Sequence, residues 1–222
     1  MTTTQWAIAA HLLVLAVWLG TDVATFTISK RVVDPALSAP IRLALAGAMM
    51  RVEIFARLCL PAMLGLGLLL SQSGGYVSVS SAVGAGALLL GIAWMGLVWT
   101  IHKRGDQAIG STLTKIDLAI RSVVCGLLWI AAVASIVGDG PFHARWLGVK
   151  VALFALIMTC GISIRFLLRP FSAAFGEILS SGSTPDREQR LQAAIKRAQP
   201  FVAVIWTCLV IATILGVGKP TL

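Results

Sequence analysis

Apolar residues run in long blocks along this chain, and polar residues gather in the short stretches between them. Residues 58 to 102 contain no Lys, Arg, Asp or Glu. A helix needs ~20 apolar residues to cross a ~30 Å hydrocarbon layer, so this block is too long for one crossing. Its middle, "SQSGGYVSVSS", supplies a polar turn between two. The same reading applied throughout predicts six spanning helices, at about 5–27, 54–71, 82–101, 118–138, 146–166 and 199–218. The expected fold class is therefore all-α: one polytopic membrane helix bundle covering 1–222 with six transmembrane helices. No basic n-region and no A-x-A site precede a soluble domain, so the first segment reads as a permanent helix rather than a signal peptide.

A different periodicity appears in "STPDREQRLQAAIKRAQP". Thr184 suits a cap, Pro185 the first helical position, and Asp186 and Glu188 the positive end of a helix. Leu191, Ala194, Ile195 and Ala198 then recur at helical spacing among Arg and Lys, which predicts an amphipathic helix over 185–198 on the inner membrane face or against the bundle. Pro40 and "IRLALAGAMM" suggest a similar surface piece before the second span.

Composition agrees with this pattern: 58% hydrophobic and 12% charged lies outside the ordinary soluble classes. The net charge of +9 changes the picture only through its placement. If the N-terminus lies outside, the three inner segments (Lys30 to Arg57, Lys103 to Arg121, Arg165 to Arg197) hold every Lys and Arg except Arg145, Lys150 and Lys219. That asymmetry fits the positive-inside rule for a multi-pass protein of the cell inner (cytoplasmic) membrane with both termini periplasmic. The basic loops then face anionic headgroups, so the bilayer is the expected partner and no nucleic acid is implied. Cys59, Cys125, Cys160 and Cys208 fall in four different spans without a CxxC pair and read as small buried hydrophobes. "TISKR" (27–31) and "TIHKR" (100–104) close the first and third spans. Glu53 with Arg57, and Asp117 with Arg121, open the next helices. This echo fits either an old duplication or the ordinary gathering of basic residues at inner helix ends.

The scarce polar residues inside the spans are the candidate chemistry. At ~100° per residue, His11, Trp18 and Asp22 fall within ~20° of one line, to which Ser29 returns, with Gly20 opposite. Such a stripe is costly against lipid and can be satisfied inside a bundle. In the fifth span the uncharged core, 151 to 164, is only ~21 Å of helix, so the span begins near Trp146 and includes Lys150. Lys150 and His11 thus share a depth in the outer leaflet. Lys150 either snorkels to the headgroups or lines a site. His11 either packs against a neighbouring helix or ligates haem iron or copper, with His143 of "GDGPFHARW" as a second ligand if it is not simply a solvated loop residue. Asp22 lies ~16 Å deeper, where Arg57 or Arg165 would be its salt-bridge partner; the alternative role is a proton-relay carboxylate. His102 reads as an inner-interface residue, and no GxSxG, HExxH, P-loop or strand-borne GxGxxG is present. The GxG of "LGLGL" (64–68) reads as close helix packing.

"HLLVLAVWLG" in the first span and "WLGVKVALFALIMTCGISIRFLLRP" in the fifth resemble the CopD-like (copper resistance D domain-like) and HemJ-like bacterial integral membrane proteins. The resemblance covers about a fifth of the chain. It implies copper uptake or resistance on the CopD-like side. On the HemJ-like side it implies haem b and protoporphyrinogen oxidation, with functional positions that correspond to His11 and Lys150. Two departures stand out: HemJ-like chains usually have four spans, and the fifth span here has no further histidine. Met63, Met95 and Met158 form no cluster at ligand spacing for copper. The leading expectation is a redox or electron-transfer protein with a metal cofactor near the outer leaflet, haem b before copper. His11 would ligate the metal, Trp18 would line the site, Lys150 would bind an acidic group or donate a proton, and Asp22 would relay protons, with a membrane or periplasmic redox partner. The rivals are a copper or small-solute permease and a non-catalytic assembly subunit.

Overall fold

The computed structural model describes residues 2–104 and 108–221. Residues 105–107, inside the second basic segment, lie outside the described residues. Seven helices follow one another: α1 (Thr3–Val32), α2 (Ala39–Ser73), α3 (Ser81–Arg104), α4 (Ala108–Val137), α5 (Arg145–Leu167), α6 (Arg169–Ser181) and α7 (Pro185–Gly218). Six stretches are long and apolar enough to cross a membrane, with α5 and α6 falling within one of them. The protein is a six-span, all-helical membrane protein, and among the described residues the sole β pairing is an isolated bridge between Val77 and Phe142.

Five of the predicted spans lie within a helix, the fourth (118–138) overruns α4 by one residue, and α1, α2 and α7 extend well beyond their predicted bounds. The surface piece expected before the second span is not separate. Pro40 takes an early position in α2, where its missing N–H costs nothing, and the helix continues to Ser73 through Pro61. The amphipathic segment is likewise continuous with the last span through Pro200. Thr184 caps α7, accepting from the Arg187 N–H. Leu191, Ala194, Ile195 and Ala198 are buried, so this half of α7 packs against the bundle. It meets Val32, Ala46, Phe175 and Ile178 in a second small core that includes α6, an element the hydropathy pattern did not predict.

Neighbouring helices form a closed circuit, α1–α2–α3–α4–α5–α7 and back to α1. Trp18, Leu60, Met63, Trp94, Met158 and Leu209 fill its interior with all four cysteines, which are free and buried as expected. Leu13, Leu90, Ile130 and Val217 remain exposed on outward faces, as lipid contact requires. The two glycines of "LGLGL" serve different neighbours, because residues two apart on a helix point nearly oppositely. A Cβ on Gly65 would come within 3.1 Å of the α3 backbone, whereas one on Gly67 would touch the His11 ring at 3.8 Å. One end of the bundle holds the start of α1, the end of α7 and the loops at 74–80 and 138–144. The other holds α6, the charged half of α7 and most of the basic residues. These are called the terminal end and the basic end below.

Candidate functional site

The α1 stripe faces inward. Trp18 and Ser29 are buried, His11 and Asp22 half-buried, and Gly20 on the opposite side is exposed with no neighbour within 4 Å of a Cβ. Trp18 meets Phe154 of α5 edge to face at 6.2 Å between ring centroids. Two turns nearer the terminal end, His11 sits against Gly67 of α2, where the absent side chain leaves room for an imidazole. Its Nδ1 is fully buried and has no hydrogen-bond partner among the described residues.

Lys150 comes from the first turns of α5. Its ammonium approaches the last turns of α7 so closely that a Cβ on Gly216 would stand 2.5 Å from Nζ. Carbonyls at a helix C-terminus carry partial negative charge, a setting that suits an ammonium. Lys150 acts electrostatically on the His11 imidazole, and Lys219 acts on Lys150. The imidazole of α1 and the ammonium of α5 thus lie within electrostatic range of each other, one set against a glycine of α2 and the other against a glycine of α7. Lys219 continues the positive charge outward, its Nζ lying 5.7 Å from the centre of the Tyr76 ring. Tyr76 in turn packs edge to face on Trp146 at 5.1 Å, which ties the 74–80 loop to the start of α5. Gly216 and Tyr76 were not singled out by sequence, which marked Gly67 only as part of a close-packing GxG and Lys219 only as an outer charge. A glycine becomes informative only once the side chain it admits is known.

His143 lies in the exposed loop before α5. Its Nε2 is 3.1 Å from Ser78 Oγ and its backbone N–H donates to the Tyr76 carbonyl, so it clamps two loops together at the terminal end. Among the described residues no group of three His, Cys, Asp or Glu side chains is placed to hold a metal ion. His102 stacks at a tilt on Trp99 at the basic end, as an interfacial residue would.

The partner expected for Asp22 is corrected. Its carboxylate accepts from Trp206 Nε1 of α7 at 2.8 Å, while Arg57 binds Glu53 one turn earlier on its own helix. Arg165 instead donates to Asp117 of the adjacent helix α4. The reason is helix order: α1 lies beside α2 and α7, and α7 offers an indole at that level, whereas both arginines find carboxylates closer to hand.

The chain matches no family model, and no curated protein or solved structure is similar to it at a significant level.

Proposed function

We propose that this protein is a redox protein of the cell inner membrane that holds haem b in the terminal half of the bundle. The observation that carries the reading is the buried, unpartnered Nδ1 of His11, within electrostatic range of the Lys150 ammonium. A buried polar atom without a partner is rare and calls for an acceptor, donor or ligand. An imidazole inside a bundle is a common axial ligand, and haem needs only one or two protein ligands. Copper asks for several convergent donors, and among the described residues no three His, Cys, Asp or Glu side chains gather to supply them. The HemJ-like side of the resemblance points to the same two residues.

In this reading His11 would hold the iron, Lys150 and Lys219 would bind the acidic propionates, and Trp18 with Phe154 would line the site. The bound group would supply one-electron redox chemistry, and the protein would supply its ligand, its charge environment and the exclusion of water. A second reading, a proton-coupled permease for copper or a small solute, rests on Asp22. This half-buried carboxylate is bound to an indole rather than to a cation, which leaves it available to exchange a proton.

The deciding experiment is a visible spectrum of the purified protein, before and after titration with haemin. The expected result is a Soret band with reduced-minus-oxidised haem b features, lost in His11→Ala at unchanged expression. Lys150→Gln should retain the band with roughly tenfold weaker haem retention, about 1.4 kcal/mol. A colourless protein that takes up no haem in a His11-dependent way overturns the reading.

A further inference from the structure

At the basic end, away from His11, a second polar cluster lies between α3, α4 and α5. Asp117 is 1% exposed and accepts from Trp94 Nε1 at 2.9 Å, from Arg121 Nε at 2.9 Å and from an Arg165 terminal nitrogen at 2.9 Å. One carboxylate therefore anchors two guanidinium groups, and neither is satisfied by it. One terminal nitrogen of Arg121 and one of Arg165 are fully buried without any hydrogen-bond partner among the described residues. Arg121 as a whole is only 9% exposed. Arg57 adds a third guanidinium within electrostatic range of Asp117 and Arg121, its own hydrogen bonds going to Glu53. Three guanidinium groups thus share two carboxylates, and one buried nitrogen on each of Arg121 and Arg165 is left without an acceptor.

We propose that Arg121 and Arg165, with Arg57 behind them, form an anion site whose ligand is a phosphate group, either the headgroup phosphodiester of an anionic phospholipid or free phosphate. A guanidinium presents paired N–H donors that match phosphate oxygens, and an acceptor bridging two arginines would satisfy both orphaned nitrogens. The depth fits as well. Each arginine is the last charged residue before an apolar block: 58–102 after Arg57, 122–138 after Arg121 and, running the other way along α5, 151–164 before Arg165. All three lie at one edge of the hydrocarbon, where lipid phosphates reside. Arg165 is partly exposed and supplies the entrance. Basic pockets between spans at such an edge are known to take anionic headgroups.

The test uses the full-length protein in neutral detergent, with binding of phosphatidylglycerol, phosphatidylcholine and inorganic phosphate followed by native mass spectrometry and thermal midpoint. Saturable retention of phosphatidylglycerol, at least tenfold weaker in Arg165→Gln and in Arg165→Lys and unchanged in the exposed control Lys196→Gln, supports the lipid source. Saturable, Arg165-dependent stabilisation by inorganic phosphate with no lipid retained supports the free ion. Arg121→Gln should match Arg165→Gln; if it fails to fold, the Arg165 variants carry the test. No saturable binding of any probe, or equal loss in Lys196→Gln, overturns the proposal and leaves water as the acceptor.

Discussion

Asp22 is held in the bundle by an indole, and that fixes what its replacement should do. A carboxylate locked to a buried guanidinium leaves an uncompensated charge when it is neutralised, at a cost of several kcal/mol. A carboxylate that accepts from Trp206 Nε1 loses little when it becomes an amide, because the amide oxygen still accepts. Asp22→Asn is therefore expected to change stability by less than about 1 kcal/mol. Trp206→Phe, which removes the donor and leaves the acid unpaired, should cost about 1–3 kcal/mol. Thermal unfolding in detergent measures both, and an Asn variant as damaged as the Phe variant would restore an ion-pair role. The inward direction of His11, Trp18, Asp22 and Ser29 was legible from angular spacing alone, since a polar stripe in lipid has one affordable place to point. Their partners were not legible. Which residue meets Asp22 depends on the order of helices around the bundle, and no local pattern in α1 carries that order.

Helices are fastened to one another at the basic end by Arg42. This side chain is 2% exposed, yet it is charged. Its Nε donates to the Val32 carbonyl at the end of α1 (2.7 Å), and its two terminal nitrogens donate to the Glu188 carboxylate at the start of α7 (2.7 and 3.0 Å). Ser183 also donates to that carboxylate at 2.6 Å. One guanidinium thus satisfies a helix-end carbonyl and joins three elements. Glu188→Ala should destabilise by about 3–5 kcal/mol, because the buried cation loses its counter-charge. A loss below about 1 kcal/mol in thermal unfolding would show that the pair is solvated. Element boundaries were the least legible part of the sequence, for a related reason. Hydropathy marks where a helix crosses hydrocarbon, whereas the backbone continues helical through Arg42, Arg51 and Glu53 and through the charged start of α7, wherever caps and ion pairs satisfy it. Similarly, α6 begins at Arg169 with Pro170 in its first turn and is too short to cross, so hydropathy left it unmarked.

The whole molecule is polarised: its two candidate sites stand at opposite ends of one bundle. Six crossings return the chain to the side where it started, so the start of α1 and the end of α7 share a face with His11, Lys150 and His143. The basic end carries all Lys and Arg but Arg145, Lys150 and Lys219. Orientation in a bilayer is set by that asymmetry, because basic flanks are retained on the cytoplasmic side during insertion. The terminal end is therefore expected to face the periplasm. This placement would give a haem near His11 access to periplasmic partners and would set the arginine cluster against the anionic inner leaflet. Reporter fusions decide it. Alkaline phosphatase, which folds only outside the cytoplasm, should be active when fused at the C-terminus and inactive when inserted at 182–184 between α6 and α7. A green fluorescent protein at those positions should give the reverse. Replacing Lys30, Arg31, Lys103 and Arg104 by Gln should weaken the bias and yield mixed orientation. If phosphatase is active at 182–184 in the unaltered chain, the basic end is external, and both sites exchange compartments.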